Sequence, residues 1–161
     1  MIQRVYIRVI LAFSLFQCDL SNAQEAKSVN WLTFEQLEDS LSTNTPKRVF
    51  IDFYTDWCTY CRKMDKVVFT KPDVVNLLNT RYYAVRFDAE SESTVHFGGK
   101  AFVNDQINIS RTPLHQIAQL LALRNGQFAP PTMVVLDSTF AVSARYFEYL
   151  DSKKLVKALQ P

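Results

Sequence analysis

A chain of 161 residues, of which 48% are hydrophobic and 13% aromatic, is long and apolar enough to bury the core of one compact domain. Its 18 basic and 16 acidic side chains are spread along the sequence, without a run of lysine and arginine, and leave a formal charge of +2. This pattern argues against a nucleic acid or another polyanion as partner.

The first 23 residues have the pattern of a secretory signal peptide. Arg4 and Arg8 supply a positive start, residues 9–16 form a short apolar stretch, and Ser21-Asn22-Ala23 supplies the small residues of a cleavage site. The apolar stretch is shorter than the roughly 20 residues that a membrane-spanning helix needs. We therefore expect export, cleavage of residues 1–23 and a mature domain over residues 24–161.

A lipid anchor on Cys18 is the alternative to a freely diffusing mature protein. Its neighbour Gln17 is bulky and polar, where lipidation sites usually have small residues, and this favours simple cleavage. Cleavage would remove Cys18 and leave Cys58 and Cys61. Two cysteines so close together close too short a loop to stabilise the fold much, so reactivity explains the pair better.

Hydrophobic periodicity, caps and turn residues predict strands that alternate with helices, as in an α/β layered domain. Thr33 and Gln36 form a capping box that opens the first helix, and Pro72 suits the first turn of another. In chain order, the predicted elements are a short edge strand over 29–32, a helix to 41, a strand over 49–54, helices over 58–69 and 72–78, a strand over 82–87, a hairpin within 91–103, a helix from 113, strands over 133–136 and 140–146, and a helix over 152–159.

Two of these elements carry detailed expectations. Gly98-Gly99 lies between alternating apolar residues and predicts a two-residue hairpin turn, which would form an excursion from the main fold. The helix from Pro113 should turn an apolar stripe toward the core, formed by Leu114, Ile117, Leu120 and Leu121.

The stretch Trp57-Cys58-Thr59-Tyr60-Cys61 places two thiols where the strand over 49–54 gives way to a helix. Unpaired backbone N–H groups and the positive end of the helix dipole favour a thiolate at Cys58. We expect Cys58 to lie at the surface as the attacking thiol. Cys61, one helical turn inside, would resolve the mixed disulfide.

Two alternatives to redox chemistry at the pair are a metal carrier and a scaffold with a permanently closed disulfide. Structural zinc usually has four ligands, and His96 and His115 lack the spacing to complete such a set. Lone histidines in such places more often lie at the surface or in packing than on a metal. The scaffold alternative would bind a partner through the hairpin of residues 91–103.

Asp52 interrupts an otherwise apolar strand. An unpaired carboxylate is costly in such surroundings, and desolvation favours the neutral acid. A group of this kind can hold or accept a proton. The alternative is a side chain that points to the edge of the sheet and caps a backbone group.

The segment from Asp52 to Cys61, together with Pro131-Thr132 before a buried strand, resembles the active site of the thioredoxin superfamily. The order of these motifs and the surrounding elements match from about residue 29 to 159. The run from Arg62 to Asp73 is further similar to small exported thioredoxin-like proteins and to the C-terminal periplasmic domain of the transmembrane thiol-disulfide electron-transfer protein. The resemblance implies a thioredoxin fold, a central mixed β-sheet flanked by helices, with the hairpin as an insertion.

By this resemblance, Asp52 would help to take the proton from Cys61, directly or through a water. Pro131, in the cis form, and the adjoining Thr132 would hold an extended partner peptide beside the thiols. Pro130 departs from the usual pattern because it has no N–H to donate to such a peptide.

Trp57 would pack beside the disulfide and shape the partner surface, with plain structural packing as the alternative. Asp56 opposes a thiolate at Cys58, whereas Arg62 and Lys63 favour it. The family resemblance implies a periplasmic thiol-disulfide oxidoreductase without a cofactor, acting on protein disulfides or thiols. We favour the reductase direction, which implies a membrane electron donor.

Overall fold

The computed structural model describes residues 27–43 and 46–160, so the expected signal peptide and Cys18 lie outside the described residues. Within these two ranges, no helix has both the length and the apolar character needed to cross a membrane. The strands are β1 (Trp31–Leu32), β2 (Arg48–Tyr54), β3 (Tyr82–Asp88), β4 (Val95–Phe97), β5 (Lys100–Phe102), β6 (Thr132–Leu136) and β7 (Val142–Tyr146). The helices are α1 (Phe34–Thr43), α2 (Thr59–Val67), α3 (Pro72–Arg81), α4 (Gln116–Leu121) and α5 (Ser152–Leu159).

Five strands form one mixed sheet in the order β1-β3-β2-β6-β7. β1 and β2 pair with β3 in parallel, β6 pairs with β2 antiparallel, and β7 pairs with β6 antiparallel. β2 therefore lies at the centre, and its residues from Val49 to Phe53 are buried, as expected for a strand covered on both faces. The predicted mixed sheet flanked by helices is confirmed.

The two faces of the sheet carry separate apolar cores. Phe50 packs with residues of α2, α3 and α5, whereas Ile51 and Phe53 pack with residues of α1 and α4. Side chains two positions apart on a strand share a face. The alternation therefore places Asp52 on the face of Phe50, which the cysteine-bearing helix α2 covers.

Local sequence signals set the helix starts. The Thr33 N–H donates to Gln36 Oε1 at 2.9 Å and the Gln36 N–H donates to Thr33 Oγ1 at 3.2 Å, so the predicted capping box is confirmed. Pro72 takes the first position of α3, where its missing N–H leaves no hydrogen bond unmade.

The predicted hairpin is confirmed, and it forms a separate two-stranded sheet. Gly98 and Gly99 have φ angles of 61° and 71°, a left-handed conformation that glycine adopts without steric penalty. The hairpin also packs onto α1, where the side chain of Glu35 accepts the N–H of His96 at 3.0 Å.

Helix α4 begins at Gln116 rather than at the predicted Pro113, and the prediction was wrong for one residue of its apolar stripe. Leu120 is 65% exposed, so the expectation that it faces the core is wrong. The buried face is centred on Ile117, Ala118 and Ala122. Leu120 is two residues away from each of these alanines, and at 3.6 residues per turn it lies on the opposite side of the helix.

His115 is fully buried and connects the start of α4 to the segment that precedes the hairpin. Its Nδ1 accepts the N–H of Ile117 at 3.2 Å and caps α4, while its Nε2 lies 3.2 Å from the carbonyl oxygen of Ser93. Burial lowers the pKa of this imidazole, which favours the neutral ring. His115 is therefore a packing residue, whereas His96 is exposed.

Candidate active site

The two cysteines lie at the junction that the sequence predicted. Cys58 is the N-cap of α2, Cys61 lies one turn inside the helix, and their Sγ atoms form a disulfide. The Cys61 N–H donates to Cys58 Sγ at 3.0 Å. This donor and the helix dipole would both stabilise a thiolate on Cys58 after reduction.

The burial of Cys58 contradicts one expectation. Only 4% of Cys58 and 2% of Cys61 are exposed, so the predicted surface position of Cys58 is wrong for the oxidised pair. The sulfur of Cys58 is bonded to the inward-facing Cys61 and receives the N–H of that residue, which draws it into the protein. A partner must therefore first contact the residues that surround the pair.

Asp52 is 2% exposed on the central strand, so the alternative of a cap at the edge of the sheet is wrong. Its Oδ1 is buried without a hydrogen-bond partner, and its Oδ2 lies 3.5 Å from Arg86 Nε. Burial raises the pKa of Asp52 to about 7, although the positive charge of Arg86 acts in the opposite direction. The carboxyl group can therefore bind or release a proton near neutral pH.

Arg86 is a site residue that the sequence reasoning missed. It is the register partner of Asp52 in the parallel β2–β3 ladder. Its Nη2 lies 2.6 Å from Asp65 Oδ2, and its guanidinium carbon lies 4.2 Å from the ring centroid of Tyr54. One cation is thus shared between two carboxylates, and a basic residue within the apolar sequence of β3 was the available signal.

Trp57 is 56% exposed and is anchored by a residue that sequence reasoning also missed. Its Nε1 donates to both carboxylate oxygens of Glu90 at 3.1 Å. Glu90 lies in the turn that follows β3, where the amide of Asn104 donates to the Glu90 and Ser91 carbonyls at 3.4 and 3.1 Å. The indole is therefore held at the surface rather than packed into the core.

Among the charged residues near Cys58, Arg62 has a structural role. Its guanidinium donates to the backbone carbonyl of Asp56 and, at 3.2 Å, to Thr59 Oγ1. These contacts tie the start of α2 to the loop that precedes it. Arg62 and Lys63 are both exposed, as is Asp56.

The loop before β6 has the predicted backbone form. The bond between Pro130 and Pro131 is cis, which confirms the choice of Pro131. Thr132 is fully buried, and its Oγ1 donates to the Ala129 carbonyl at 2.9 Å, so its hydroxyl group holds the loop. Thr132 pairs with Phe53 of β2, which places this loop beside the end of the strand that leads to Cys58.

No group of three or more histidine, cysteine, aspartate or glutamate side chains in the described part of the chain is placed to hold a metal ion. The site consists instead of a sulfur pair, a buried carboxyl group with its arginine, and exposed aromatic rings. Such a set can exchange thiols and disulfides and move the accompanying proton.

Comparison with known proteins gives a match over most of the chain. A family model described as a thioredoxin-like domain matches residues 34–160. The thiol:disulfide interchange protein DsbD of Photorhabdus laumondii is 41% identical over 49 residues, which are 30% of this chain and 8% of that relative. The match thus covers less than a tenth of the relative's own length.

Two solved structures show the same fold. A DsbH oxidoreductase has a TM-score of 0.57 at 14% identity, over 88% of this chain and 89% of that one. The oxidised C-terminal domain of DsbD from Neisseria meningitidis has a TM-score of 0.50 at 20% identity, over 76% of this chain and 85% of that one. At these identities, the likeness shows the fold alone.

Proposed function

The chain belongs to the thioredoxin-like domain family, and from this premise we propose that it is an exported thiol-disulfide oxidoreductase that reduces disulfides of other proteins. The observation that carries the proposal is the position of Cys58 Sγ, which caps a helix and accepts the N–H of Cys61. The family membership and the resemblance to DsbD support the same chemistry.

The reaction consists of two exchanges of sulfur bonds. The Cys58 thiolate attacks one sulfur of the partner disulfide, which forms a mixed disulfide and releases the first partner thiolate. Cys61 then loses its proton and attacks Cys58 Sγ, which closes the intramolecular disulfide and releases the second partner thiolate. The partner gains two electrons, and the protein ends in the oxidised form that the structure shows.

Asp52 supplies the proton acceptor for the second step. It lies on the face of the sheet that α2 covers, and burial gives it a pKa of about 7. A carboxylate with a pKa near the working pH accepts a proton efficiently. Contact with Cys61, directly or through a water, is part of this proposal.

The reductase direction and the location are also part of the proposal. The direction is supported by the similarity to DsbD, whose name describes thiol:disulfide interchange, and it implies a membrane electron donor that returns electrons to the pair. Export is supported by the signal-peptide pattern of residues 1–23. Exchange with a glutathione buffer would give the reduction potential, and a value as oxidising as those of dedicated disulfide donors would overturn the reductase direction.

Reduction of insulin by dithiothreitol tests the exchange activity. The mature protein should accelerate the reaction, and Cys58→Ser should remove that acceleration. Ile109→Ala is a matched surface control, because Ile109 is 83% exposed and far along the chain from the pair. A wild-type protein without any acceleration would contradict the proposal.

A second candidate function is a binding module with a permanently closed disulfide. The burial of both cysteines is the observation that favours it. In that case dithiothreitol would not open the disulfide of the folded protein, and insulin would be reduced no faster with the protein than without it.

A further inference from the structure

We propose that Tyr60 and Tyr149 form an aromatic wall beside the disulfide that selects partner disulfides with an aromatic residue next to the cysteine. This inference rests on the proposed exchange function and adds to it a specificity for the partner. It assigns a role to Tyr149, which lies far from the cysteines in the sequence.

The wall begins with a residue of the active-site segment itself. Tyr60 lies between the two cysteines and is 59% exposed. Its ring centroid lies 6.0 Å from that of Tyr149, with the planes tilted by 44°. This distance is within the range in which aromatic rings attract each other beyond simple burial.

Tyr149 is held by a contact with α2 and by its position in the chain next to a buried residue. The Nζ of Lys63, on α2, lies 4.7 Å from its ring centroid. Along the chain, Tyr149 directly precedes the buried Leu150, and the next residue, Asp151, is the N-cap of α5 and accepts the Lys154 N–H at 2.9 Å. A ring fixed in this way loses little conformational entropy when a partner binds.

Trp57, the residue before Cys58, is an anchored ring as well, because its exposed indole donates to Glu90. Cys58 is only 4% exposed, so an approaching chain meets Trp57 and Tyr60 before it reaches the sulfur. The partner that fits this surface is an extended segment in which an aromatic side chain flanks the disulfide-bonded cysteine.

Two disulfide peptides that differ only in the residue beside the first cysteine, phenylalanine in one and alanine in the other, test the inference. The measurement is the second-order rate constant with which each peptide oxidises the reduced protein. The wild type should prefer the phenylalanine peptide by roughly three- to tenfold, the range expected for one aromatic contact. Tyr149→Ala and Tyr60→Ala should each bring the ratio toward one, and the double variant should lower it no further.

Tyr149→Phe keeps the ring and should keep the ratio, and Ile109→Ala, at a site exposed to 83%, should keep both the ratio and the rates. Tyr60→Ala changes an exposed side chain, so the test stands even if Tyr149→Ala does not fold. A wild-type ratio near one, or a ratio that both alanine variants leave unchanged, would overturn the inference. A wild type that reacts with neither peptide refutes the proposed function itself, and the inference with it.

Discussion

Replacing Asp52 by asparagine should make the stability of the oxidised protein less dependent on pH. Burial raises the pKa of Asp52 from its ordinary value of 3.8 to about 7. Between these values the folded state binds more protons than the unfolded state, so stability falls as the pH rises. A difference of about three pKa units corresponds to about 4 kcal/mol in the free energy of unfolding, and this stability is lost between about pH 4 and pH 7.

The asparagine variant has no carboxyl group to titrate at this position, but the substitution has a cost in stability of its own. Its amide has two N–H donors where the neutral acid has one O–H, and Asp52 Oδ1 has no hydrogen-bond partner; an additional buried donor without an acceptor costs about 1–3 kcal/mol. Asp52→Asn should therefore be the less stable protein at pH 4 and the more stable one at pH 8. The change in the difference between the two proteins, about 4 kcal/mol over this range, is the quantity predicted.

Urea unfolding of both oxidised proteins at several pH values measures this change, with the cysteines kept out of the titration by their disulfide. Arg86→Met provides a second test. Loss of the cation beside Asp52 should raise the pKa of Asp52 further and extend the decline in stability to higher pH. A difference between wild type and Asp52→Asn that stays constant from pH 4 to pH 8 would refute the reasoning.

Two further predictions concern Glu90, which anchors Trp57, and His115, which caps α4. Glu90→Gln should make the Trp57 side chain more mobile, because the indole N–H loses its carboxylate acceptor. Acrylamide quenching of tryptophan fluorescence should therefore increase. The neighbouring control Glu92→Gln should leave the quenching unchanged. Burial lowers the pKa of His115, so the wild type should lose stability as the pH falls below about 6.5, where the unfolded chain takes up the proton. His115→Asn keeps an acceptor for the N-cap and should lose that acid sensitivity in thermal unfolding between pH 5 and 7.5; an unchanged pH dependence would contradict this role.

Features that depend on neighbouring residues could be predicted from the sequence. The capping box of Thr33 and Gln36, the Gly98-Gly99 turn and the position of Cys58 at the start of α2 follow from local backbone chemistry, and all three are present. The cis form of Pro131 was inferred from the family resemblance rather than from local physics, and it is also present.

Features that depend on residues distant in the sequence could not be predicted in the same way. Arg86 reaches Asp52 only because β2 and β3 pair in one particular register, and Glu90 reaches Trp57 through the loop that follows β3. Tyr149 reaches Tyr60 from the segment that precedes α5, and α2 and α5 contribute to one apolar core on the same face of the sheet. Cys58 is likewise buried where it is disulfide-bonded to Cys61, and a pattern of residue types does not describe how exposed this sulfur is.

The most direct test of the account is the rate at which iodoacetamide alkylates the reduced protein as a function of pH, with the modified cysteine identified by mass spectrometry. We predict that Cys58 is modified before Cys61, and that its rate is half-maximal below the value of about pH 8.5 expected for an ordinary thiol. Modification of both cysteines at equal rates, or of neither in the folded protein, would contradict the assignment of Cys58 as the attacking thiol.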